Sequence, residues 1–268
     1  MKILSYNIRN WQNNRGESNV RQVLEILKGV EADLIGLNEV LHPHPSPDPN
    51  LSALDFLARE LGMEAAFGPA FQPQNAFRLP DVMSGNAVLS RYPILATAAH
   101  HLTPVVHNQR GLLEARILLP DHTPFTLYVT HLEAKWEDVR VQQARALLSW
   151  TVRDRGKPHA LVGDLNTYNP ADFPTEDALA AFRAKAEARG FTFFRAEVIP
   201  LLLKHGYVDA CASNPQPTWN TEDALWARMD FILLADPLVD RIRACRTLDT
   251  PTARVVSDHL PVIADVKL

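Results

Sequence analysis

Six short apolar runs in this sequence lead directly into carboxylate, amide or imidazole side chains. Lys2–Tyr6 delivers Asn7, the run 32–38 delivers Glu39, and Thr126–Thr130 delivers His131. Ala160–Gly163 delivers Asp164 and, two residues on, Asn166; Arg228-Met229 leads to Asp230, and Ser257 precedes Asp258 and His259. These are the residue types that ligate hard cations or move protons. A polar group placed at the end of a buried strand is held on a rigid edge, where it projects into a cleft. Any one of them alone reads as a turn amide, a helix cap or a solvated carboxylate. The recurrence at six strand ends is difficult to assign to solvated loop ends alone.

The elements that must position these groups alternate in an α/β order. Strand candidates are Lys2–Ile8, Asp33–Asn38, Asn86–Ser90, Glu114–Leu119, Thr126–Thr130, Ala160–Gly163, Met229–Leu234 and Val262–Val266. Helices are expected where apolar residues recur at three- and four-residue spacing. Val20, Val23, Leu24 and Leu27 mark one, and Leu54, Leu57, Ala58 and Leu61 before Gly62 mark another. Val139–Val152 and Glu176–Arg189 are the third and fourth, the last opening on acidic and closing on basic residues as a helix dipole favours. Prolines at 43, 45, 47 and 49 enforce an extended loop between His42 and Asn50. No internal repeat or linker interrupts the chain, so residues 1–268 are read as a single domain.

Composition narrows the function classes. With 268 residues, 46% hydrophobic and 22% charged, the chain can build a large core, which excludes disordered and fibrous classes. A formal net charge of −4 argues against a basic coat for sequence-independent grip on a polyanion. Cys211 and Cys245 stand in no zinc-binding spacing and are read as reduced core thiols. Neither a signal-peptide pattern nor an apolar run of membrane-spanning length is present, so a cytoplasmic protein is expected.

The ordered set Ser5-Tyr6-Asn7, Leu37-Asn38-Glu39, Ser84-Gly85-Asn86-Ala87-Val88-Leu89-Ser90-Arg91, Thr130-His131-Leu132, Gly163-Asp164-Leu165-Asn166, Arg228-Met229-Asp230-Phe231-Ile232 and Ser257-Asp258-His259 resembles the motifs of the endonuclease/exonuclease/phosphatase superfamily. Each tripeptide is a weak signal, but their occurrence in the right order along nearly the whole chain is specific. Where many members carry Gln before the metal-binding Glu, this chain has Asn38. The resemblance implies a four-layer α/β sandwich: two mixed β-sheets face to face, with helices outside. It implies a divalent-metal-dependent phosphoesterase.

Phosphate-ester hydrolysis needs charge stabilisation on the phosphoryl oxygens and a water in line with the leaving oxygen. Glu39 and Asp258 are assigned to Mg²⁺ or Mn²⁺, which carboxylates with retained waters suit better than zinc. Asp164 orients or deprotonates the water, and Asn166 donates to a non-bridging oxygen. His259 contacts the phosphate, with Asp230 on its other ring nitrogen; whether Asp164 or His259 takes the proton stays open. Asn7 holds a metal ligand or Asp164 in place. His131 resembles the second histidine of the deoxyribonuclease-like and sphingomyelinase-like branches.

For the substrate, Trp11, Trp136, Trp219 and Trp226 are candidates to rim the cleft, and Arg78, Arg91 and Arg110 to contact phosphate. Trp136, Trp219 and Arg110 are preferred among them. The segment from Asn169 to Pro200 and the proline loop after Glu39 are the expected specificity elements. The scarcity of Lys/Arg-rich runs favours a small or lipid-like phosphate ester over nucleic acid. A DNA endonuclease or exonuclease of the same fold is the alternative, and a non-catalytic binding protein is the third reading. Oligomeric state is not legible.

Overall fold

The computed structural model describes residues 1–72, 81–103, 109–190, 195–219 and 227–267. Two six-stranded mixed sheets face each other. The first has the order β11 (Ile242–Thr247), β12 (Val262–Val266), β1 (Lys2–Asn7), β2 (Leu34–His42), β4 (Met83–Ser90), β3 (Glu64–Phe71). The second has the order β5 (Ile94–His101), β6 (Gly111–Leu118), β7 (Pro124–His131), β8 (His159–Asp164), β10 (Asp230–Ala235), β9 (Tyr207–Asp209).

Strand alternation builds the layers. Ile3, Leu34, Val88, Val129, Val162 and Ile232 point inward and form the core between the sheets. Their neighbours point outward. Leu4, Tyr6, Ile35 and Leu37 meet α1 (Val20–Val30), α2 (Ala53–Leu61) and α6 (Pro251–Val256). Tyr128, Leu161, Phe231 and Leu233 meet α3 (Glu137–Thr151) and α5 (Val198–Lys204) on the other side. α4 (Glu176–Glu187) packs Phe182 and Ala186 against Tyr168 and Met229. The result is the four-layer sandwich implied by the motifs. At Gly36 the layers come so close that a Cβ would lie 2.5 Å from the Val162 side chain.

All eight expected strands are present. The sequence reading missed β3, β5, β9 and β11, along with α5 and α6. It also misread the cysteines. Cys211, just after β9, and Cys245 in β11 form a disulfide with Cα atoms 4.9 Å apart, within the usual span for such a bond. The two are 34 residues apart in sequence and meet only because the edges of the two sheets meet. Among the described residues, no helix is long and apolar enough to cross a membrane.

Candidate active site

Pairing brings the strand-end groups to one edge of the sandwich. Parallel β1 and β2 set Asn7 opposite Asn38. In the second sheet β8 sets Asp164 between His131 of β7 and Asp230 of β10.

Glu39 does not end its strand as expected. β2 continues to His42, and its register with β4 shifts between Leu37 and Val40, where Glu39 adopts a φ of +54°. Such an irregularity re-aims a side chain out of the ladder's alternation. Both Glu39 oxygens are held: Asn7 Nδ2 donates to Oε1 at 3.1 Å and Asn10 Nδ2 to Oε2 at 2.7 Å. Asn10 sits in a tight turn in which Arg9, Asn10 and Trp11 all have positive φ. Trp11, expected at the rim, is fully buried and anchors this turn by donating to the Leu41 carbonyl at 2.8 Å. Arg9 Nε lies 3.8 Å from Asp258 Oδ1, so this one turn touches both proposed metal-binding carboxylates.

Asp164 is buried and held at three points. Its N–H donates to Asn38 Oδ1 at 2.9 Å, its Oδ2 accepts from Asn7 Nδ2 at 3.0 Å, and its Oδ1 accepts from the Asn166 N–H at 2.9 Å. Asn38 Nδ2 in turn donates to Asn86 Oδ1 at 2.8 Å and to the Thr130 carbonyl at 2.9 Å, which ties the two sheets together directly beneath the site. The close approach needs Gly163, at φ +140°, where a Cβ would sit 1.8 Å from the Thr130 carbonyl oxygen.

His259 Nδ1 is 2.8 Å from Asp230 Oδ2, and its Nε2 is 3.6 Å from Asp164 Oδ2. Burial opposes charging of this imidazole, yet Asp230 and Asp164 outweigh it and hold its pKa well above the usual histidine range. Burial lifts the Asp164 carboxyl to about 7, with His259 opposing and Asp230 adding to the rise. The loop carrying His259 is fixed by Ser257, whose Oγ donates to the Asn7 carbonyl at 2.8 Å. Thr218 Oγ1 accepts the Asp230 N–H at 3.0 Å.

His131 is buried with its Nε2 2.8 Å from Asn166 Nδ2 and its Nδ1 3.3 Å from Arg110 Nη1. Burial, then the nearby Arg110 and His259 charges, push its pKa well below the usual value. Asn166 Nδ2 also donates to the Leu132 carbonyl at 3.0 Å. Both of its amide hydrogens are therefore engaged, and in this arrangement neither is left for a phosphate oxygen.

The remaining expectations divide. Arg110 is inside the site. Trp136 is 48% exposed at the start of α3 with Lys135 Nζ 5.0 Å above its ring. Trp219 pairs through its backbone with Ala227 and His259, and its ring packs on the cluster around Tyr168 and Met229. Arg91 lies at the opposite end of the sheet, 3.4 Å from Asp33, away from the site. Arg78 and Trp226 fall outside the described residues. Sequence reasoning gave no role to Asn10, Asn86, Thr218 and Ser257. Asn86 and Ser257 stood inside the quoted motifs; Asn10 and Thr218 carried no signal that local spacing could supply.

Asp164, Asp230 and His259 offer ligand atoms within 4.8 Å of one another, compact enough for a cation. His259, however, already bridges the two carboxylates. Among the described residues no histidine is bound to Glu39 or Asp258, and the cation nearest in contact with Asp258 is Arg9, 3.8 Å from its Oδ1. The hydrogen-bond partners of Glu39 are the neutral Nδ2 groups of Asn7 and Asn10, so the oxygen ligands it can offer a hard cation are its own two carboxylate oxygens.

The pattern describing the Endonuclease/Exonuclease/phosphatase family matches residues 4–259. An uncharacterized protein of Escherichia coli, YbhP, is 29% identical over 206 residues, covering 72% of this chain and 79% of its own. An endonuclease/exonuclease/phosphatase from Beutenbergia cavernae superposes with a TM-score of 0.75 at 20% identity, over 100% of this chain and 71% of its own. A mannosyl-6-phosphatase from Bacteroides thetaiotaomicron gives 0.66 at 16% identity over 100% of both chains.

Proposed function

Because this chain belongs to the endonuclease/exonuclease/phosphatase family, we propose that it is a divalent-metal-dependent phosphoesterase whose site comprises Asn7, Glu39, His131, Asp164, Asn166, Asp230, Asp258 and His259. The observation that carries this reading is the convergence on Asp164. Asn7 ties it to Glu39 at 3.0 and 3.1 Å, and His259 faces it while bound to Asp230. Groups from both sheets thus surround one carboxylate.

In this reading Glu39 and Asp258 hold Mg²⁺ or Mn²⁺, which when bound offsets charge on the phosphoryl oxygens. Asp164 Oδ2 accepts the proton of the attacking water, and Asn7 keeps that oxygen aligned. His259 turns Nε2–H toward a phosphoryl oxygen, and Asp230 orients the charged ring by accepting from Nδ1–H. Arg110 adds positive charge, and Trp136 offers an exposed ring for the part of the substrate beyond the phosphate. Residues 1–268 act as one domain, since the site draws on positions from 7 to 259. The substrate is a small or lipid-like phosphate ester rather than nucleic acid, which agrees with the net charge of −4.

The test is hydrolysis of bis-p-nitrophenyl phosphate and p-nitrophenyl phosphate by the full chain with Mg²⁺ or Mn²⁺. EDTA and Asp164→Ala should each abolish turnover of whichever ester is hydrolysed. Activity that survives both changes refutes the mechanism. Parallel assays on plasmid DNA, abasic-site DNA, sphingomyelin and phosphoinositides decide the substrate class.

A further inference from the structure

The chain leaves β1 through a turn whose backbone is costly to hold. Arg9, Asn10 and Trp11 have φ of +53°, +53° and +62°, three left-handed residues in a row with no glycine among them. L-residues avoid this region because Cβ crowds the following carbonyl, and of these three only asparagine is tolerated there with any regularity. With Glu39 and Asn166, the turn accounts for five of the eight non-glycine residues of positive φ among those described. Such strain persists only where the surroundings over-determine it. Here Trp11 Nε1 donates to the Leu41 carbonyl at 2.8 Å and the Gln12 N–H closes on the Arg9 carbonyl at 2.9 Å. Asn19 Nδ2 then ties the carbonyl of Ile8, at 3.0 Å, to that of Val256, at 2.8 Å.

The groups held by this turn belong to the site. The Arg9 N–H donates to Asn7 Oδ1 at 3.0 Å, which leaves Asn7 Nδ2 aimed at Glu39 Oε1 and Asp164 Oδ2. Asn10 Nδ2 donates to Glu39 Oε2 at 2.7 Å, and its side chain makes no other polar contact among the described residues. Glycine would adopt a φ of +53° without strain, so the backbone alone does not call for a side chain at position 10. Asn7 and Asn10 take one oxygen of Glu39 each, so the carboxylate cannot turn without breaking a bond. Each oxygen accepts one hydrogen and keeps its other lone pair for a cation.

We propose that Asn10 is a positioning residue for the divalent cation: the left-handed turn sets its amide on Glu39 Oε2 and presets that carboxylate in its ligating orientation before the ion arrives. The proposal rests on the phosphoesterase reading above, which assigns Glu39 to the cation, and adds how Glu39 is set. A carboxylate released from Asn10 regains rotamers that binding must freeze again, so affinity for the ion falls.

The test is direct Mn²⁺ binding by the full chain, with free Mn²⁺ followed by electron paramagnetic resonance, in the wild type, Asn10→Ala and Asn10→Gly. Melts of the three proteins are recorded in EDTA. Loss of an outer partner of a metal ligand costs about 10–100-fold in affinity, and both variants should show it. Alanine keeps the strained φ without the amide, whereas glycine relieves it, so Asn10→Gly should melt about 2–4 °C above Asn10→Ala. A residue that serves only the turn would change the melts and leave Mn²⁺ affinity alone. Equal Mn²⁺ affinity in the wild type and both variants therefore overturns the positioning role and leaves the phosphoesterase reading standing. So does a glycine variant with wild-type affinity, since the backbone would then suffice. A wild type that takes up no Mn²⁺ overturns both.

Discussion

Asn86 bonds none of the proposed catalytic side chains directly, yet it should be among the most sensitive positions in the chain. Its Oδ1 accepts from Asn38 at 2.8 Å, and its Nδ2 donates to the carbonyls of Gly111 at 2.9 Å and Val129 at 3.3 Å. Asn86→Leu keeps the branching at Cγ and removes all three bonds. The Gly111 carbonyl retains Thr130 Oγ1 at 3.0 Å, so the chief orphan is one N–H of Asn38. An orphaned buried donor costs about 1–3 kcal/mol and each lost neutral bond about 1, giving a destabilisation on the order of 2–4 kcal/mol. With an unfolding entropy of roughly 2.1 cal/mol/K per residue, this lowers Tm by about 4–7 °C. Because the same Asn38 holds the Asp164 N–H at 2.9 Å, kcat should also fall by roughly tenfold or more, since small misplacements of a catalytic group are costly. Urea unfolding gives the stability change, and kcat at saturating Mg²⁺ gives the positioning change. A melt within about 1 °C of wild type refutes the relay, and a large stability loss with unchanged kcat limits it to packing.

The disulfide predicts a redox-dependent stability. Closing a loop of 34 residues is worth about 3–4 kcal/mol on the loop-entropy account, so dithiothreitol or the double change Cys211→Ser/Cys245→Ser should lower the unfolding midpoint accordingly. Alkylation of both thiols in the native protein without reductant would show that the bond is absent, as expected of a protein kept in a reducing compartment. His159 gives a pH prediction. It is buried between the Lys157 carbonyl and Tyr207 Oη, and burial lowers its pKa below 6.5. The unfolded chain therefore binds the proton more readily. The contribution of a neutral His159 to stability is full above the unfolded value and declines as pH falls below about 6.5. His159→Gln should flatten the decline in Tm between pH 7 and 5; an unchanged slope refutes the assignment.

What the sequence disclosed follows from how local each signal is. Asn7, His131 and Asp164 were legible because an apolar run ending in a polar group is a contiguous pattern, and the strand projects it whatever lies opposite. Four strands escaped. β5, with Ala96, Thr97, Ala98 and Ala99, carries little apolar contrast, and β11 is an edge strand with Arg243 and Arg246 facing outward. β9 is only three residues long, and Pro69 interrupts β3 where its register shifts. The disulfide and the sheet-crossing amides were invisible for a different reason: each depends on a three-dimensional meeting of distant segments. Trp11 shows how proximity in sequence misleads, since closeness to Asn7 suggested a rim and the turn's positive φ angles instead sent the ring into the core.

The division of the site between the sheets explains why those unseen contacts matter most. Asn7, Glu39, Asp258 and His259 come from the first sheet and its adjoining loop, whereas His131, Asp164 and Asp230 come from the second. The core between the sheets is apolar and non-directional, so it fixes their separation without fixing how one edge sits along the other. Hydrogen bonds do have direction. Asn38 reaches from beside Glu39 to the Asp164 N–H and the Thr130 carbonyl, and Asn7 reaches from the same sheet to the Asp164 carboxylate. These amides set the offset between a proposed metal ligand and a proposed base to within a bond's tolerance. A glutamine at position 38, one methylene longer, would have to push Gly163 away or buckle. The asparagine here and the close approach allowed by Gly163 are therefore two halves of one geometric solution, and Asn38→Gln should lower kcat for phosphate-ester hydrolysis.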